Sequence, residues 1–145
     1  MTTSYDLSSR CPCLSGRTYG ECCGIYHAGF ASEGTLSAPT PEALMRSRFS
    51  AFALNNPEYL LATWAPETRP EAQGFELDED LRWYRLDIVD APPALGSSTG
   101  TVEFIAYYRS IPGIDEEQRV KGSMHERSSF SYRGGVWYYV DGIHR

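Results

Sequence analysis

Hydrophobic residues change their period once along this chain, near residue 80. Before that point the period is helical. In "PEALMRSRFSAFALNN", Leu44, Met45, Phe49, Ala51 and Phe52 share one face at about 100° per residue. Arg48 falls near the middle of that face, whereas Arg46 falls outside it, beside Ser47 and Ser50. Thr40 followed by Pro41 supplies a cap and a first-position proline. Asn55-Asn56-Pro57 breaks the helix, "PEYLLATWA" forms a second short one, and Pro66 and Pro70 prevent its continuation. Beyond residue 80 the period drops to that of strands. "LRWYRLDIVD" and "KGSMHERSSFSY" alternate, "TVEFIAYY" is apolar and β-branched or aromatic, and "RGG" turns the chain into "VWYYVD". Helices followed by a largely antiparallel sheet predict an α+β domain.

The pattern leaves out the first thirty residues, where "CPCLSGRTYGECCGIYH" holds all four cysteines: Cys11, Cys13, Cys22 and Cys23. Cysteines used for packing would be scattered; these serve one local task. Adjacent cysteines make strained disulfides, and no C-x-x-C redox pair is present. Four thiolates from two chain segments suit a closed structural zinc site. Pro12 stiffens the first pair, Ser15-Gly16 supplies a turn, and Gly20 and Gly24 bracket the second pair. Arg10 and Arg17 lie close in sequence to offset the charge of the thiolates. His27, four residues beyond Cys23, is expected as a reserve ligand or a group packed behind the ligands.

Composition narrows the function classes. The chain has 145 residues, 41% hydrophobic and 13% aromatic, with a formal net charge of -6. That suffices for one domain and a small appendage. The acidic balance disfavours generic binding to a phosphate backbone. "MTTSYDLSSR" has no apolar core of a signal peptide, and no run approaches a membrane span. The expected compartment is the cytoplasm, where thiols stay reduced.

The cysteine stretch resembles the SEC-C motif, the zinc knuckle of the bacterial preprotein-translocation ATPase, at all four ligand positions. Leu14 stands where that family usually has glycine. The order of helices and strands behind it resembles the nuclear transport factor 2-like fold, a cone of sheet around N-terminal helices. Together, "MRSRFSAFALNNPEYLLATW", "ERSSF" and "WYYVDG" behind a knuckle resemble the YchJ-like family of bacterial proteins. The expected organisation is a knuckle over 8–30, a linker over 31–40 and the cone-shaped domain over 41–145. Many members of that family carry a second knuckle after the last strand; this chain stops at "VDGIHR".

Within the cone, strand alternation puts Met124, Glu126, Ser128 and Phe130 on one face and His125 on the other. A buried carboxylate needs a partner, and Arg48 has the same need. The two are expected to pair across the cone, with Arg46 as the other candidate. Trp64, Trp83, Tyr107, Trp137 and Tyr139 are candidates for a pocket lining, although such aromatic sets are more often core. No phosphate loop, nucleophile elbow or HExxH is present, so no residue is assigned a catalytic role. The reading is a zinc-binding protein, leaning away from an enzyme, whose knuckle contacts a protein partner as the resemblance implies. Its alternatives are a small-molecule ligand or reaction in the cone around Arg48 and Glu126, and a weaker association with nucleic acid or the ribosome through the knuckle.

Overall fold

A computed structural model describes residues 5–145. Three α-helices precede four strands: α1 (Cys23–Glu33), α2 (Pro41–Ala53), α3 (Pro57–Ala62), then β1 (Leu81–Asp90), β2 (Thr99–Ser110), β3 (Lys121–Arg133) and β4 (Val136–His144). The α+β expectation holds.

Local chemistry sets most boundaries. Thr40 is extended, and its Oγ1 accepts from the Ala43 amide at 3.0 Å, with Pro41 opening α2. Asn56 caps α3 in the same way, accepting from the Tyr59 amide. The helix α1 runs to Glu33, three residues into the stretch expected as linker. It stops at Gly34, whose φ of 69° permits the left-handed turn that ends helices. Gly134 and Gly135 take φ of 55° and 84°, the paired positive values that a tight hairpin between β3 and β4 needs.

The strands form an antiparallel meander in the order β1-β2-β3-β4. The pairings Leu86↔Ala106 and Phe104↔Glu126 fix which residues share the inner face. Residues 63–65 lie along the outer edge of β4, where the Ala65 amide donates to the Tyr139 carbonyl and the Tyr139 amide to that of Thr63. The edge is thereby partly covered.

Helix α2 lies on the inner face. Leu44, Met45 and Phe49 pack with Leu86, Val102, Phe104, Ala106, Phe130 and Trp137. Burying a side chain such as Phe49 stabilises the fold by about 1.5–3 kcal/mol. The four cysteines and Tyr19 belong to this same cluster. The knuckle is therefore not suspended on a polar tether. The face of α2 that sequence spacing marks as polar is buried too: Ser47 and Ser50 have no exposed surface, with Ser50 against Cys11 of the knuckle and Ser47 held between Tyr59, at its hydroxyl, and His27, at its carbonyl.

Candidate metal centre and its links to the helix–sheet interior

The loop carrying Cys11 and Cys13 folds back through a turn in which the Leu14 amide donates to the Cys11 carbonyl, and the Cys11 amide donates to that of Arg17. Cys22 and Cys23 sit at the start of α1. All four side chains are buried, and their sulfur atoms lie within 4.8 Å of one another. A tetrahedral ion with metal–sulfur bonds of about 2.3 Å needs sulfurs about 3.8 Å apart. Cys13 and Cys22 are 3.7 Å apart. All four cysteines are free of disulfides. The donor set fits a metal held by four thiolates.

Electrostatics point the same way. Hydrogen bonds from Cys13 and from Cys23 hold the Cys11 thiol down to about 3, while bonding to Cys11 and to Cys13, together with burial, pushes Cys23 well above the ordinary thiol range. Four thiols in this space share protons because four bare thiolates would repel. A divalent cation bound there would replace the shared protons. Ser15 Oγ, 3.2 Å from Cys22 Sγ, adds a hydroxyl beside the sulfurs.

Leu14, where the SEC-C pattern has glycine, takes φ of 62°. A β-carbon in that region strains the backbone by about 1–2 kcal/mol, which is why glycine suits the position. The leucine side chain is exposed, as are Leu7 and Ile25 on the same module.

His27 points away from a ligand role. Its Nε2 lies 2.8 Å from the Ser47 carbonyl, which only accepts, so Nε2 carries the proton. Its Nδ1 then accepts from the Tyr19 hydroxyl at 2.6 Å. Both ring nitrogens are occupied, and burial lowers the pKa of the imidazole. The i+4 spacing from Cys23 reads equally as a ligand or as this tie between helices; only the position of α2 separates them.

Arg46 also belongs to the knuckle. Its guanidinium donates to the Cys13 carbonyl and to Glu42, both at 2.9 Å. Cys11 Sγ lies 3.7 Å from Ser50 Oγ.

Arg48 and Glu126 are both buried, but they do not form the expected ion pair: neither has an oppositely charged group within 4.0 Å among the described residues. Arg48 donates to the Leu60 carbonyl at 2.8 Å and to Thr63 Oγ1 at 2.7 Å. Its guanidinium lies between two rings, 5.0 Å from the Trp64 centroid and 4.4 Å from that of Tyr139. Desolvation lowers its pKa to about 10, so it stays charged at neutral pH. Glu126 accepts from Ser128 Oγ at 2.6 Å and from the Tyr139 hydroxyl at 3.3 Å. Tyr139 thus stands between the two charges, offering its ring to one and its hydroxyl to the other. Strand alternation placed Glu126 on the correct face but carried no information about the residue interposed from β4. Trp64 Nε1 is buried and has no hydrogen-bond partner among the described residues.

The remaining aromatic candidates are dispersed. Trp83 packs with Phe52 and Tyr108, and Trp137 packs at a tilt against Tyr132. Tyr107 lies on the outer face of the sheet, donating to Asp87 at 3.0 Å. His125, on that outer face as expected, contacts Glu103 at 2.7 Å. A groove of about 670 Å³ opens near Trp137, lined by residues 91–98 and the start of α2, away from the Arg48 cluster. Among the described residues no helix is long and apolar enough to cross a membrane.

Comparison with known proteins agrees with this architecture. Residues 8–25 match the SEC-C motif, and residues 40–142 match the family described as YchJ, middle NTF2-like domain. A UPF0225 protein from Corynebacterium glutamicum is 45% identical over 137 residues, covering 94% of this chain and 98% of the relative. One from Streptomyces coelicolor is 44% identical over 133 residues, covering 91% and 93%. The solution structure of a SEC-C motif containing protein from Rhodopseudomonas palustris superposes with a TM-score of 0.71 at 38% identity, covering 92% of this chain and 96% of that one. The crystal structure of a SEC-C motif containing protein from Psychrobacter arcticus gives 0.72 at 28% identity, covering 93% and 82%. With sequence, motif order and architecture in agreement over nearly its whole length, the chain belongs to the UPF0225 family of YchJ-like proteins.

Proposed function

We propose that this is a cytoplasmic zinc protein without catalytic activity of its own, and that its knuckle is the surface through which it engages a protein partner. Zinc is the metal best suited to four buried thiolates at tetrahedral spacing in a compartment that keeps thiols reduced. The observation that carries the interaction reading is Leu14. An apolar side chain is held in solvent, in a strained conformation, in the turn following two of the proposed ligands. The turn requires the conformation, but it does not require an exposed apolar side chain where glycine would do. That exposure suits a residue that is covered by a partner.

The test compares capture from a native lysate by the intact protein, by Leu14→Ser and by Cys22→Ser with Cys23→Ser. Metal content is measured in each. The reading expects a partner retained by the intact protein and lost from both variants, with Leu14→Ser still holding one zinc. Equal capture by all three would contradict it.

The second reading, a small ligand bound between Arg48 and Glu126, has one observation in its favour: the partnerless Trp64 Nε1 beside a guanidinium that bonds through a single nitrogen. Against it, Tyr139 fills the space between the two charges.

A further inference from the structure

Residues 46–50 of α2 touch the knuckle on one side and the interior on the other. Toward the knuckle, Arg46 holds the Cys13 carbonyl, the Ser47 carbonyl accepts from His27 Nε2, and Ser50 lies against Cys11. Toward the interior, Ser47 Oγ bonds to the Tyr59 hydroxyl at 2.7 Å, and Arg48 holds Leu60 and Thr63. Thr63 and Ala65 in turn pair with Tyr139 at the edge of β4. One helical turn therefore joins the cysteine cluster to the segment that closes over Arg48.

We propose that metal occupancy of the cysteine cluster controls the order of this segment, residues 59–65 together with its pairing to β4, so that the knuckle acts as a metal-dependent latch on the interior. The inference rests on the proposed metal site. Without a cation only shared protons offset the repulsion among the four sulfurs, a weaker hold than metal–sulfur bonds, and the loop carrying Cys11 and Cys13 is anchored less firmly. The links from Cys13 to Arg46 and from Cys11 to Ser50 then loosen first. His27 follows, because it rides on the helix that begins at Cys23. Released on that side, α2 grips residues 59–65 less firmly. The sheet centre has its own ladder, in which Ala106 pairs with both Leu86 and Met124. The consequence is local opening rather than global unfolding, the usual behaviour of a segment whose contacts lean on one neighbour.

The test is amide hydrogen exchange on the full chain, with the metal bound and after chelation, the mass of each sample giving its metal content. Protection at Ala65 and Tyr139 is expected to fall by about tenfold or more on removal of the metal, with Ala106 changing less than about twofold. His27→Phe keeps the four cysteines and cuts the link to Ser47. It is expected to bind one metal and to show the weakened protection at Ala65 and Tyr139 whether loaded or not. Equal protection with and without metal overturns the latch while leaving the metal site standing. Loss that is uniform from Ala65 to Ala106 also overturns it, since the metal would then support the entire fold. A latch unaffected by His27→Phe overturns the route through Ser47. Protein that binds no metal under any of these conditions overturns both the latch and the metal site.

Discussion

His27 donates through Nε2 to the Ser47 carbonyl at 2.8 Å, tying the helix that begins at Cys23 to the helix that carries Arg48. Rather than joining the cysteine cluster as a fifth ligand, His27 fastens the knuckle to the body of the protein. The first prediction follows from the state of that ring. Burial holds its pKa below the ordinary 6.5, so the unfolded chain takes up the proton first. As pH falls through 6.5, the unfolded state binds more protons than the folded one. Stability therefore drops, by up to about 1.4 kcal/mol per pH unit, until the lower folded pKa is passed. Above 6.5 this contribution is complete and flat. Denaturant titrations of wild type and His27→Phe between pH 7.5 and 5.5 isolate it, because acid release of metal is common to both. The wild type should show the steeper slope; parallel slopes would mean that His27 does not carry it.

Leu14→Gly should raise stability by about 1 kcal/mol, since glycine meets φ of 62° without strain, less its own cost in chain entropy. Leu14→Ala keeps the strained β-carbon and should give no gain. Chemical denaturation of the metal-loaded proteins distinguishes the two. Unchanged stability in Leu14→Gly would show that the turn is relaxed.

Gly142 explains the end of the "VDG" sequence in β4. A β-carbon there would overlap the Glu126 carboxylate, 2.7 Å from its Cγ. Gly142→Ala should therefore destabilise the domain by about 2–3 kcal/mol, and adding Glu126→Ala should recover much of that loss. Additive losses would place the carboxylate elsewhere.

Tyr139→Phe removes the hydroxyl that reaches Glu126 but keeps the ring over Arg48. It should cost about 1–2 kcal/mol. In a double-mutant cycle, Arg48→Met and Glu126→Gln should couple by less than about 1 kcal/mol, because they are not direct partners. A coupling of about 3 kcal/mol would restore the direct ion pair.

These sites show what a linear pattern carries and what it omits. Cysteine spacing, the Thr40–Pro41 start of α2 and the alternation of β3 are local features, and the structure realises each of them. The seat of the knuckle is not local. Ser47 and Ser50 look solvent-facing because they are polar, yet Ser50 and the Ser47 carbonyl are buried against a module twenty or more residues earlier in the chain, and the Ser47 hydroxyl against Tyr59. The extension of α1 to Glu33 had a legible sign in Gly34, a left-handed terminator set among polar residues that otherwise read as linker. The insertion of Tyr139 between Arg48 and Glu126 depends on three elements meeting, and no period in any one of them encodes it.

The central claim is that Cys11, Cys13, Cys22 and Cys23 hold a single zinc. Native mass spectrometry of freshly purified, reduced protein tests it most directly, alongside Cys22→Ser with Cys23→Ser. The account predicts one zinc per chain in the wild type and none in the variant. Wild-type protein that carries no metal, or zinc retained after both cysteines are replaced, would contradict it.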